Sequence, residues 1–222
     1  MLMTDDEIRA AMAEGKLQID NFSEKSLQPA SYDMRIGARL LVSSNEAEID
    51  LFQRSSAVLK PGEFALVTTH EDVRLADTVA GHIGVKSYYT RKGLVMLTGL
   101  QIDPGFEGVL VIGLYNASPR SLTLEYLAPF CTVEFHQLAK AAENPFIPGS
   151  EQKEGYIPRA DKDYLRTLET RSLSELSESL RELAVSVASL RDSMSTMQRV
   201  MGIGFGFVAI LSLIGVVITA LK

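Results

Sequence analysis

From residue 17 to residue 138 no helix-length apolar periodicity interrupts the sequence. Short β-type runs follow one another instead, as in Phe64–Thr68, Val79–Val85, Val109–Tyr115 and Ser121–Glu125. Pro61-Gly62 and Asp103-Pro104-Gly105 punctuate them as turns. A parallel α/β sheet needs a helix between successive strands. The pattern therefore predicts an all-β domain over residues 1–138, a barrel or a jelly-roll-like sandwich. One helix is predicted ahead of it: Thr4 and Glu7 make a T-x-x-E capping box and Gly15 supplies the stop. The opening is acidic and has no apolar run, so it is not read as a targeting peptide.

Beyond residue 138 the texture changes twice. Residues 139–163 are dominated by Pro, Gly and charge and read as a linker or a lid. Within residues 164–201, apolar side chains alternate at spacings of three and four: Leu173, Leu176, Leu180, Leu183, Val187, Leu190, Met194, Met197 and Met201. So narrow and long a stripe favours a self-associating coiled-coil stalk, about 40 Å long, over a lone helix packed on the domain. Residues 202–221, GIGFGFVAILSLIGVVITAL, carry no charge and no Pro. As a helix they would span about 30 Å, the hydrocarbon thickness of a bilayer. The expected topology is a single membrane pass with the N-terminal domain in the cytoplasm.

Charge and cysteine content exclude several functions. Residues 1–138 hold 12 Lys/Arg against 18 Asp/Glu, and the remainder holds 10 of each. An acidic head is unsuited to neutralising the phosphates of duplex nucleic acid. A single nucleotide needs only a few placed cations. Cys131 is the only cysteine, beside His70, His82 and His136, which rules out an intramolecular disulfide and a Cys-rich zinc site. The H-x-E with P-C-x-x-C pattern of zinc deaminases is absent. No protein-bound zinc is expected, and each His reads as an ordinary surface or core residue.

Several segments, in one order, resemble the dCTP deaminase/dUTPase superfamily: TDDEIRAAMAEGKLQI at the opening, LQPASYDMRIG (27–37), residues 59–94, IDPGFEGVLVIGLYN (102–116) and the strand up to Leu138. The resemblance implies a β-clip, a distorted jelly-roll-like fold, and a homotrimer with three nucleotide sites between subunits. A trimeric head on a trimeric stalk needs no change of symmetry. The implied ligand is a deoxypyrimidine triphosphate, dCTP or dUTP, with Mg²⁺ carried in on the nucleotide as the only cofactor. The implied role lies in deoxynucleotide metabolism or sensing, either as a deaminase- or dUTPase-type hydrolase, as a nucleotide-sensing pseudoenzyme or as a trimeric membrane scaffold.

The resemblance also assigns residues. The phosphate-holding turn corresponds to Lys86, Ser87, Tyr88 and Arg91, with Tyr88 where a small Ser is usual; without the family it reads as a surface turn. Asp103 corresponds to the carboxylate that activates water and sits against the deoxyribose; read alone, it initiates a Pro-Gly turn. Ser87, Arg91 and Asp103 are thus the candidate catalytic groups. Phe106 corresponds to an aromatic that lines the sugar pocket, and is equally credible as core. Val111, Ile112 and Gly113 fall on the strand facing the pyrimidine. Deaminases of the family place an acid/base Glu where this chain has Gly113, and glycine moves no proton. Tyr156 and Lys162 match elements of the deaminase lid. Asp33 is read as structural.

Overall fold

The computed structural model describes residues 1–45, 47–147, 149, 153–167, 178–191, 193 and 194. The chain divides into two compact units, Met1–Ser174 and Glu175–Lys222. The first opens with helix α1 (Asp5–Ala13), where Thr4 and Glu7 cap each other as the sequence predicts and Gly15 takes a left-handed φ of 72°. Twelve strands follow among the described residues: β1 (Leu17–Asp20), β2 (Leu27–Gln28), β3 (Ser31–Val42), β4 (Ile49–Asp50), β5 (Ser56–Leu59), β6 (Phe64–Leu75), β7 (Val79–Val85), β8 (Leu94–Met96), β9 (Gln101–Ile102), β10 (Glu107–Asn116), β11 (Leu122–Glu125) and β12 (Pro129–Gln137). Between them lie two one-turn helices, α2 (Leu51–Arg54) and α3 (Ser87–Thr90). The fold is mostly β. Ten strands form one curled antiparallel sheet whose central path runs β8-β10-β6-β3-β12-β7-β9, and β11 pairs with β5 beside it.

Curling depends on β3, which belongs to two layers. Tyr32 to Arg35 pair with β12, while Ile36 and Leu40 to Val42 pair with β6. Pairing is broken between Ile36 and Leu40, and Gly37 sits in the break. A Cβ there would lie 2.4 Å from the Thr69 carbonyl oxygen and 2.7 Å from that of Thr68, so only glycine lets the two backbones approach. β10 carries a second irregularity against the same strand, between Val109 and Val111.

The buried Thr68-Thr69 pair of β6 repairs both breaks. The Thr68 hydroxyl accepts from the Arg39 amide at 3.3 Å and donates to the Arg39 carbonyl at 3.4 Å. The Thr69 hydroxyl accepts from the Leu110 amide at 3.0 Å and donates to the Glu71 carbonyl at 2.8 Å. Two residues on, fully buried Glu71 takes Arg35 Nε at 2.6 Å and the Arg35 amide at 2.8 Å, pinning β3 to β6 at the crossing. β6 is thereby longer than the Phe64–Thr68 run predicted. Its second half carries His70, Glu71, Asp72 and Arg74, which hide the strand pattern from hydropathy.

Residues 139–163 do more than link. Phe146 stacks on Phe106 with ring centroids 5.8 Å apart. Helix α4 (Arg159–Thr167) follows, and Ile157 and Leu165 are buried with Leu41 against Phe64, Leu66 and Val111. The Pro and charge content conceals these few apolar anchors. In the second unit residues 178–191 are helical, and Leu180, Leu183, Val187, Leu190 and Met194 of the predicted seam are each 57–64% exposed. Leu173, Leu176, Met197 and Met201 lie outside the described residues, as does the whole predicted span 202–221. Among the described residues no helix is long and apolar enough to cross a membrane.

Two outcomes are expected. Thr69→Val keeps the side-chain shape but strands the buried Leu110 N–H, and should lower unfolding free energy by about 1–3 kcal/mol in urea denaturation. Asp72 has its pKa raised above the usual carboxylate value, first by burial and then by Asp20 and Glu107. A raised folded-state pKa means that the protonated form is favoured on folding. Stability is then greatest below the unfolded pKa and falls as pH rises through the folded one. Asp72→Asn should therefore melt about 1–2 °C higher than the parent at pH 7, with the difference closing at pH 3.

Candidate functional site

Because Thr69 holds the β10 irregularity, the following residues turn toward a single cavity. It has a volume of about 290 Å³ and is lined by Leu110, Val111 and Ile112 of β10, Ile83 of β7, Gln101 and Ile102 of β9, Thr98 and Gly99, Asp103, Phe106, Phe146 and Asp161. Its walls are apolar and its polar groups are few, as in small-molecule sites. Asp103 and Asp161 bring two carboxylates, and no Lys or Arg is among the described residues lining it.

The turn after β9 sets the carboxylate. The Asp103 carbonyl accepts from the Phe106 amide at 3.1 Å, closing the turn, and Gly105 has a φ of 86°. A Cβ at Gly105 would meet the Phe146 carbonyl oxygen at 2.7 Å, so glycine serves both the backbone angle and the close strap. The strap is fixed by the Phe146 amide donating to the Pro104 carbonyl at 2.7 Å. Asp103 Oδ1 accepts from Gln101 Nε2 at 2.8 Å, and the residue is otherwise exposed.

The lid residues singled out by the resemblance come together. The Arg39 guanidinium lies over the Tyr156 ring at 5.0 Å, and Lys162 Nζ lies 6.0 Å from the same ring. Lys162 is held by Glu48 at 2.8 Å, with Arg39 Nε 3.5 Å from that carboxylate. This cluster seats α4, which carries Asp161 to the cavity.

Gly113 does not line the cavity; it lies beneath Thr98, which does. Its amide donates to Thr98 Oγ1 and its carbonyl accepts from the Leu97 amide at 2.9 Å. A Cβ at Gly113 would find Phe64 Cζ at 3.1 Å and Thr98 Oγ1 at 3.2 Å. A side chain there would need Phe64 and Thr98 to shift by a few tenths of an ångström. Glu107, on the same strand, is no substitute acid: Lys153 and then Arg74 hold its carboxyl below the usual range, keeping it ionised.

Lys86, Ser87, Tyr88 and Arg91 do not line this cavity. They form the α3 turn, anchored by buried Tyr89. Lys86 is ion-paired to the nearly buried Asp33, so its charge is already answered. This pair ties the α3 turn to β3. Tyr88 is 54% exposed and packs under Lys92 Nζ, 3.7 Å from its ring centroid. Ser87 and Arg91 are exposed, and Arg91 makes no ion pair among the described residues. Of the candidate residues, Asp103, Phe106, Val111 and Ile112 are thus gathered in one place, with Gly113 adjacent and the α3 turn elsewhere on the head. Thr98, Gln101, Leu110, Phe146 and Asp161 were not foreseen. Phe146 and Asp161 had no readable signal because contacts far along the chain bring them in.

The profile of the dCTP deaminase-like family matches residues 2–138. Among individual proteins, the chain is 35% identical over 146 residues to a dCTP deaminase of Pyrococcus abyssi, covering 66% of this chain and 90% of that one. It is 37% identical over 146 residues to a dCTP deaminase of Pyrococcus horikoshii, covering 66% and 88%. To a dUMP-forming dCTP deaminase of Rhodococcus opacus it is 34% identical over 187 residues, covering 74% and 97%. Its fold is similar to that of the 2′-deoxycytidine 5′-triphosphate deaminase of Agrobacterium tumefaciens, with a TM-score of 0.51 and 22% identity, over 60% of this chain and 47% of that one.

Replacing Lys86 by Ala leaves Asp33 nearly buried without its cation. The expected result is a loss of about 1–3 kcal/mol in chemical denaturation, largely recovered when Asp33→Asn is added.

Proposed function

Because this chain belongs to the dCTP deaminase-like family, we propose that it binds a deoxypyrimidine triphosphate in the cavity over β10 and does not deaminate it. The observation that carries this reading is the cavity itself: Asp103, Phe106, Val111 and Ile112 meet there, while glycine at position 113 offers no acid/base. At about 290 Å³ it sits at the small end of ligand pockets, which supports a base and sugar inside and the phosphates outside. Phosphates could not rest against Asp103 and Asp161 unaided. The reading therefore takes the α3 turn of a neighbouring copy, with Ser87 and Arg91, as the phosphate clamp, and makes the protein a homotrimer. Mg²⁺ would enter on the phosphates, as a hard cation taking oxygen ligands.

The exposed seam from Leu180 to Met194 supports association of the stalk, since five apolar residues on one helix stripe favour burial against like helices. Residues 202–221 are proposed to hold the assembly on a membrane with the head in the cytoplasm, on the strength of an uncharged stretch of 20 residues. The function proposed is thus that of a membrane-held nucleotide sensor in deoxynucleotide metabolism. A second reading, hydrolysis of the triphosphate, is favoured by one observation: Asp103 is exposed and its carboxylate accepts only from Gln101 among the described residues, which leaves it available to orient a water.

The test incubates the full-length protein with dCTP, dUTP, dTTP and the ribonucleotides plus Mg²⁺, following products by chromatography and melting temperature in parallel. Stabilisation by one deoxypyrimidine triphosphate, lost in Asp103→Ala and in Arg91→Ala and without dUTP formed from dCTP, is the expected result. Production of dUTP from dCTP would overturn the reading of Gly113. Release of dUMP from dUTP, abolished by Asp103→Ala, would establish the hydrolase instead. No response to any nucleotide would leave only a scaffold.

A further inference from the structure

On the face where His82 is paired with Gln101 of the cavity lining, β7 and β12 bring two imidazoles and a carboxylate together. His82 is directly opposite Glu134 in the antiparallel register, and His136 lies two residues further along β12, on the same face. Such neighbours across and along a strand pair are within side-chain reach. One ligand atom from each of His82, Glu134 and His136 lies within 4.8 Å of the others. The two rings are 4.9 Å apart between centroids and tilted by 60°, so they are not stacked flat. Glu134 Oε2 is 3.8 Å from His136 Nε2.

His136 Nε2 is the second observation. It is a buried atom with no hydrogen-bond partner among the described residues, although it faces a carboxylate. A buried ring nitrogen left unpaired costs free energy, and a bound ion is one of the few groups that can satisfy it. Small residues flank the cluster on this face, Ala80 opposite His136 and Gly84 beside His82. A Cβ at Gly84 would meet nothing within 4 Å, so an ion and its water have room.

We propose that His82, Glu134 and His136 bind a divalent transition-metal ion of the zinc class. Two imidazoles and one carboxylate are a borderline donor set, suited to Zn²⁺, Co²⁺ or Ni²⁺ and poorly suited to Mg²⁺ or Ca²⁺, which take oxygen ligands. Bonds of about 2.0–2.2 Å in a tetrahedral site place ligand atoms about 3.3 Å apart. The ligand atoms, within 4.8 Å of one another, need to close by up to about 1.5 Å to reach that geometry. Three protein ligands leave at least one position for water or for a group from another molecule. The site ties the last strand of the head, β12, to β7, and its occupancy would stiffen that pair. It does not depend on the reading of the cavity.

The test uses untagged full-length protein freed of metal with a chelator, then titrated with Co²⁺ and followed by visible absorption. Zn²⁺ competition and melting temperature serve as second readouts, and Mg²⁺ as the comparison ion. The expected result is one Co²⁺ per chain with visible bands, displaced by Zn²⁺. Melting should rise by a few degrees with Zn²⁺ and not with Mg²⁺. His82→Gln and Glu134→Gln, both at exposed positions that tolerate change, should each weaken Co²⁺ binding by more than about 10–100-fold, the loss typical of an outer-shell partner. Absence of visible bands in the parent protein would overturn the proposal. So would binding in both variants as strong as the parent's, which would put the ion elsewhere.

Discussion

Two adjacent threonine hydroxyls hold this head together. β6 is flanked by strands that each break register against it, β3 between Ile36 and Leu40 and β10 between Val109 and Val111. A break in a ladder leaves buried peptide groups without partners, which a core does not tolerate. Thr68 serves the β3 side through Arg39, and Thr69 serves the β10 side through Leu110. The first break lets β3 pass from β12 to β6 and curl the sheet. The second aims Leu110, Val111 and Ile112 at the cavity. Fold and site thus share one cause, and the pairing of Arg35 with buried Glu71 locks the crossing of β3 on β6.

Several residues of the motifs that carry the resemblance acquire physical meaning from this arrangement. Gly37 is required by backbone approach at the crossing, and Gly105 by a left-handed turn pressed against the Phe146 strap. Asp33 takes Lys86 and so positions the α3 turn. Asn116 is fully buried and saturated: its Nδ2 donates to the Leu59 and Arg120 carbonyls at 2.9 and 2.8 Å, and its Oδ1 accepts from the Ser118 amide and hydroxyl at 3.0 and 2.7 Å. These four residues build the frame. None of the four is among the groups proposed to meet the nucleotide, Asp103, Ser87 and Arg91.

Much of this was legible in the sequence, for local reasons. The capping box of α1, the bounds of β7 and the all-β character follow from neighbours in the chain. Asp103 and Phe106 were singled out by the resemblance alone; read locally, Asp103 starts a Pro-Gly turn and Phe106 is core. What escaped was set by distance. The polar second half of β6 reads as a loop until Arg35, 36 residues away from Glu71, answers its carboxylate. The strap and α4 look like a linker because a few apolar residues, Phe146, Ile157 and Leu165, do all the anchoring. The direction of a side chain at position 113 depends on Phe64 and Thr98, which no spacing rule brings to it. His82 and His136, each unremarkable alone, become a pair only through the register of β7 on β12.

The central claim is that one subunit's cavity and another subunit's α3 turn make a single nucleotide site. Mixed oligomers test it most directly. Asp103→Ala and Arg91→Ala chains, each unable to bind a deoxypyrimidine triphosphate alone, are unfolded together, refolded and assayed by isothermal titration. The account requires binding to reappear in the mixture at a fraction of the parent's sites and with the parent's affinity, because some sites then join an intact cavity to an intact turn. A mixture as inert as its components, with subunit exchange verified by mass, would contradict it and place both groups in one chain's own site.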